Sequence, residues 1–186
     1  RLYSIIKYSF ILSCFLFCLL KNRPLQNRPQ MRLLTCALFF TACADYFLIF
    51  TNYFLTGILL FCLVQLCYRL FLGGNWNSLL KNSLFALLFL LPLAYFSEII
   101  LLPAAIYIGF LYANISLAKH QKNFSLLTAL TLMFLCDIHV GFANLPQYLN
   151  LLPAAWSSFS SNILWFFYLP SQFMISRQTA GNPPPL

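Results

Sequence analysis

Seven apolar stretches, each close to the length of a bilayer crossing, divide this chain: 2–20, 33–50, 54–72, 83–97, 99–118, 124–144 and 155–176. A membrane-spanning helix needs about 20 apolar residues. In hydrocarbon every backbone N–H and C=O must be bonded inside the protein, so only packed helices or closed barrels can cross. The runs here are continuous rather than alternating with period two, which selects helices. Only 8% of residues are charged, with mean hydropathy +0.81, against about 25% charged in a soluble domain. The expectation is an all-α, polytopic transmembrane bundle forming one domain over 1–176, with a Pro-rich, disordered cytoplasmic tail over 177–186. Pro92, Pro103 and Glu98 make the fourth and fifth spans the least regular.

The formal net charge of +8 is distributed by topology. The first connection holds Lys21, Arg23, Arg28 and Arg32, the third is flanked by Arg69 and contains Lys81, the fifth holds Lys119 and Lys122, and the tail begins near Arg177. The intervening connections, around Thr51–Tyr53, Ser97–Glu98 and Leu145–Pro153, hold no Lys or Arg. Cytoplasmic loops collect such residues. The C-terminus is therefore expected in the cytoplasm, in a multi-pass protein of the plasma membrane whose first span starts outside. An outside start calls for one more helix before Arg1, giving eight spans. The lipid bilayer accounts for the basic excess, so nucleic acid is not an expected partner. Basic loop residues, and His120 among them, read as topology signals and solvated or headgroup-facing groups. Cys14, Cys18, Cys36, Cys43, Cys62, Cys67 and Cys136 lie in apolar runs without zinc-type spacing and read as small apolar fillers, with no metal site.

The acidic residues number three, Asp45, Glu98 and Asp137, all in or against spans. An ionisable group inside a membrane is costly and marks a functional site by default. Leu33-Leu34-Thr35 leading to Cys43-Ala44-Asp45 is echoed by Leu126-Leu127-Thr128 leading to Cys136-Asp137. Each aspartate has an asparagine seven residues on, Asn52 and Asn144, two helical turns away on the same face. This is either a parallel internal repeat meeting at a central site, as in some transporters, or a coincidence of Leu-rich helices. Topology puts Asp45, Asp137, Lys7 and Glu98 in the outer leaflet half, with Lys7 the cation available to a carboxylate there. Thr41, Gln65, Tyr68, His139, Tyr168 and Gln172 add polar groups that either bind a ligand or join helices.

Two carboxyls in a shielded cavity suit acid–base hydrolysis, one protonated to donate and one ionised to activate water. The competing reading is that each aspartate pairs with Lys7 or holds helices together. Three other functions use similar parts. An intramembrane aspartyl protease would need a Gly-x-Gly-Asp motif, which FLCDIHVG lacks. A small transporter or lipid-binding protein would use the acids for protons or headgroups. A structural protein would use them only as helix contacts.

Several stretches resemble the YhhN family, the lysoplasmalogenases. TACADYFLIF followed by NYFLTGILLFCLVQLCY is similar to that family's central signature, with Asp45, Phe54, Gly57, Phe61, Gln65 and Tyr68 at its marked positions. FLCDIHVGFANL resembles its second aspartate helix through Asp137, and WFFYLPSQFMIS its last helix through Tyr168 and Gln172. Lys7 matches the lysine of an early Lys-Pro motif, with Tyr8 where the proline would stand. Many members carry His where this chain has Gln65, and Gln cannot shuttle a proton. The resemblance implies eight helices and hydrolysis of the vinyl-ether bond of a lysoplasmalogen, an alkenyl lysophospholipid, to a fatty aldehyde and a glycerophospho-base. It implies Asp45 and Asp137 as the catalytic pair, no metal or organic cofactor, and Lys7, Gln65, Tyr68, Tyr168 and Gln172 as groups positioning headgroup or water; Asn52, His139 and Asn144, singled out by position and spacing beside the aspartates, join them as candidate substrate-binding groups.

Overall fold

The computed structural model describes residues 2–22, 29–51, 53–77, 80–85, 87–88, 101–144 and 154–178. Among them six long helices carry the fold: α1 (Leu2–Asn22), α2 (Pro29–Phe50), α3 (Phe54–Phe71), α4 (Leu101–His120), α5 (Phe124–Asn144) and α6 (Ala154–Ser176). Helices α1 to α5 each contain a stretch long and apolar enough to cross a membrane. Helix α6 has the length, at 23 residues, but Ser157, Ser158, Ser160, Ser161 and Asn162 dilute its apolar content. The expected span 83–97 lies mostly outside the described residues, as do Glu98, Asn52 and the tail beyond Gln178; residues 80–85 are helical.

Local chemistry sets the helix ends. Helix α2 starts at Pro29, before the expected residue 33. A proline at the first helical position gives up only an N–H that has no acceptor there. Helix α4 takes Pro103 into its first turn for the same reason, so Pro103 begins a helix instead of interrupting one. Two exits use a left-handed residue. Gly73 (φ +62°) follows α3, and the Gly74 N–H reaches back to the Arg69 carbonyl at 3.1 Å. Lys122 (φ +56°) follows α4, and the Asn123 N–H reaches the Ala118 carbonyl at 3.0 Å. That six-to-one bond satisfies carbonyls the helix leaves open. Asn123 then starts the next helix, its Oδ1 accepting the Leu126 N–H at 3.1 Å, as an N-cap does.

Neighbours in sequence are neighbours in space. Helices α1 to α6 pack in chain order, α6 returns to α1, and α2 touches α6 across the interior. The described helices thus close into a ring. Between α2 and α3 the approach is close at Gly57, where an added Cβ would lie 3.3 Å from the Ala44 carbonyl and would collide with Leu48. The ring's interior buries Ile11, Leu34, Leu38, Ala44, Val64, Leu111, Leu130 and Met133. Its outside presents Phe85, Phe124 and Phe166, each at least 70% exposed, an apolar surface suited to lipid.

Side chains tie the helix ends at the basic end of the ring. Lys21 Nζ donates to the carbonyls of Arg177 and Gln178 at 2.7 and 3.2 Å. Gln121 donates to the Leu72 carbonyl at 2.6 Å, and Gln178 to Ser125 Oγ at 2.8 Å. Helix direction places Arg32, Arg69, Lys119 and Lys122 at this same end. Among the described lysines and arginines, Lys7 alone sits toward the opposite one.

Candidate functional site

The two membrane aspartates come from helices on either side of the ring. Asp45, near the end of α2, is 4% exposed. Its Oδ2 accepts the Tyr168 hydroxyl of α6 at 2.6 Å. Asp137, on α5, is half-buried, and its Oδ2 accepts the Tyr107 hydroxyl of α4 at 2.7 Å. The carboxyls lie within electrostatic range of each other, and Cys136 lies near both. Four helices therefore contribute one carboxyl or one phenol each. A short O–H···O bond to a carboxyl orients it strongly, so each phenol fixes the direction of its aspartate's carboxyl.

Lys7 does not complete an ion pair with either carboxyl. Its Nζ lies over the rings of Tyr3 at 3.8 Å and Trp165 at 4.2 Å, a cation–π seat. Trp165 packs edge-on against Tyr168, with centroids 5.7 Å apart. Lys7 thus sits at the rim of the site, one aromatic ring removed from the phenol that holds Asp45. Tyr8 packs on Tyr46 and Phe50 beside it, with centroids 6.2 and 5.4 Å away.

Below the aspartates, toward the basic end, is a second polar layer. Thr41 stands one turn before Asp45 on α2, and Gln172 one turn after Tyr168 on the oppositely running α6, so helical register puts them at one level. Tyr68 approaches Thr41 from α3. Thr41, Tyr68 and Gln172 are all fully buried, and the two hydroxyls and both ends of the Gln172 amide have no hydrogen-bond partner among the described residues. Such groups cost about 1–3 kcal/mol each when dry, so this layer suits water or the polar part of a ligand. Gln65 is different, because it is already engaged. Asn114 of α4 donates to its carbonyl at 2.8 Å and its Oε1 at 3.0 Å, and its amide meets Met133 Sδ at 3.9 Å.

The other sequence candidates stand apart. His139 stacks on Phe167, with centroids 5.5 Å apart and planes 11° from parallel. Asn144 is exposed and donates to the Val140 carbonyl of its own helix at 2.8 Å. The repeat is not carried into contacts: the aspartates take their phenols from α6 and α4, which would not be equivalent helices of two halves. Sequence reasoning passed over Tyr107 and Asn114. They are seven residues apart on α4, the same two-turn spacing that drew attention to the Asp–Asn pairs, and with Leu111 and Ala118 they form that helix's buried stripe. Among the described residues no cluster of three His, Cys, Asp or Glu side chains could hold a metal ion.

The YhhN family model matches residues 2–179, nearly the whole chain. No curated protein and no solved structure matches it.

Proposed function

Because the chain belongs to the YhhN family, we propose that it hydrolyses the vinyl-ether bond of a lysoplasmalogen, releasing a fatty aldehyde and a glycerophospho-base. The observation that carries this reading is the pair of phenol-held carboxyls, Asp45 and Asp137, within electrostatic range of one another in a ring of membrane helices. A vinyl ether hydrolyses when a proton adds to its outer alkenyl carbon. The positive charge that results is shared between the adjacent carbon and the ether oxygen, an oxocarbenium ion. Water captures that carbon, and the hemiacetal collapses to aldehyde and alcohol. One carboxyl in its acid form supplies the proton. The other, ionised, stabilises the cation and takes a proton from the attacking water, as the two carboxyls of a glycosidase do.

The remaining groups divide by position. Lys7, at the rim beside Tyr3 and Trp165, is suited to the substrate phosphate. Thr41, Tyr68 and Gln172 offer unused hydrogen-bonding atoms beneath the carboxyls, suited to the water. Gln65 buttresses α3 against α4 through Asn114, a task glutamine performs without exchanging a proton. The test is aldehyde release from lysoplasmalogen in liposomes by wild type, Asp45→Asn and Asp137→Asn, each checked for folding. General acid–base catalysis contributes about 10²- to 10⁴-fold, so each variant should lose at least about 100-fold. Activity retained within a few fold in either folded variant would remove that aspartate from the mechanism.

A further inference from the structure

Lys7 marks a seat for an organic cation at the rim of the aspartate site. Tyr3 and Lys7 stand one turn apart on α1 and so share a face. Trp165 reaches the same point from α6. The Lys7 Nζ lies 3.8 Å from the Tyr3 ring centroid and 4.2 Å from that of Trp165, both inside the range where a ring face attracts a cation. Tyr3 is 59% exposed, while Trp165 and Lys7 are half-buried, so the seat has a wall and an open side. A lysine near a membrane surface ordinarily extends its ammonium into water, and this one turns it onto two rings. Trp165 packs edge-on against Tyr168, whose hydroxyl holds Asp45. A group in the seat is therefore two aromatic rings from a carboxyl of the pair.

The described acids, Asp45 and Asp137, are bonded to phenols, and neither pairs with Lys7. Among the described residues, then, a headgroup cation arriving here meets ring faces in place of a carboxylate. That surrounding separates the two common amine headgroups. A primary ammonium is strongly hydrated through its N–H groups and loses that water on entering a ring-lined seat. A trimethylammonium has no N–H, wraps its charge in methyl groups, and gains both electrostatic and apolar contact from aromatic faces. Lys7 must then move aside, which its flexible four-carbon stem allows. In a phosphocholine the phosphate follows the ammonium after two carbons and one oxygen. The headgroup thus supplies both halves of an exchange: its cation replaces Lys7 on the rings, and its phosphate receives the displaced Lys7.

We propose that Tyr3 and Trp165 bind the quaternary ammonium of a phosphocholine headgroup, with Lys7 displaced onto its phosphate, and that this seat selects choline lysolipids over ethanolamine ones. The lysolipid rests on the hydrolase reading above; the headgroup preference is measured without turnover. The test is the Kd of the maltoside-purified protein for the saturated hexadecyl ether of glycerophosphocholine and for its glycerophosphoethanolamine counterpart, by calorimetric titration. Neither probe has a vinyl ether to hydrolyse. Expected is binding about 5- to 30-fold tighter for the choline ether, falling to a ratio within about twofold in Tyr3→Leu and in Trp165→Leu. Trp165 also packs on Tyr168, so Tyr3→Leu, at an exposed position, is the variant least able to disturb the fold, and Trp165→Phe, which keeps a ring, should retain part of the preference. Soluble phosphocholine bound as tightly as the choline ether keeps the seat and assigns it to a water-borne compound. Equal affinity for the two ethers in wild type, no binding of either, or a preference undiminished in either folded leucine variant overturns the proposal. The preference without aldehyde release from choline lysoplasmalogen keeps the seat and removes the hydrolase reading alone.

Discussion

Asp45 and Asp137 each receive a tyrosine hydroxyl where a lysine had been the anticipated partner. A phenol leaves the carboxyl free to take either protonation state, whereas an ammonium would hold it ionised. For the proposed acid–base pair the phenol is the more useful neighbour, and that proposal assigns Tyr107 and Tyr168 a positioning role. Tyr168→Phe and Tyr107→Phe keep ring packing and remove one bond. A hydrogen bond to a charged group is worth about 1.5–3 kcal/mol, so aldehyde release per unit lysoplasmalogen should fall about 10- to 100-fold in each. The measurement is kcat/KM with Tm alongside; unchanged kcat/KM in both would leave the phenols as packing only. The aspartates were legible in the sequence because a charge in an apolar run needs a reason. Tyr107 was not, because Tyr is ordinary in such runs, and the partner of Tyr168, which the sequence did single out, is set by another helix.

At the scale of the element, helix starts and exits were mostly readable. The stretch 124–144 appears in the structure with the anticipated bounds, while Pro29 and Pro103 enter first turns that hydropathy alone had not assigned to them. The two left-handed exits differ in residue type, and this yields a paired prediction. Gly73 occupies φ +62° without strain, and Lys122 occupies φ +56° with a Cβ. A left-handed conformation costs an ordinary L-residue about 1–2 kcal/mol. Gly73→Ala should therefore lower stability by about 1 kcal/mol, and Lys122→Gly should raise it by about the same amount. Detergent unfolding monitored by circular dichroism distinguishes them, and two shifts of the same sign would break the argument.

At the scale of the whole molecule, the ring closes because α6 returns to α1, with Lys21 reaching the Arg177 and Gln178 carbonyls. Closure gathers the described basic residues other than Lys7 at one end and leaves the carboxyls toward the other. Cytoplasmic loops are the basic ones, so the expected orientation puts that end in the cytoplasm and the aspartate site toward the outer leaflet. Trypsin added to sealed inside-out vesicles should then cut at Lys122 and Arg177, and trypsin added to right-side-out vesicles should spare both. Cleavage at these positions only from the outer face would invert the topology and move the proposed site to the inner leaflet.

The amino-acid sequence by itself determined the helical membrane class, the segregation of basic residues to one end and the placing of two aspartates inside apolar helices. Each follows from the cost of placing a polar group in hydrocarbon, which is paid locally and so leaves a local mark. Which helices meet was decided only in three dimensions. Asp45 bonds a residue 123 positions away and Asp137 one 30 positions away, while Asn144, matched to Asp137 by helical spacing, turns to its own backbone. Lys7 finds aromatic faces in place of a carboxylate. Periodicity says which face of a helix a residue occupies. The ring's closure says what that face meets, and the identity of a polar group's partner depends on the second.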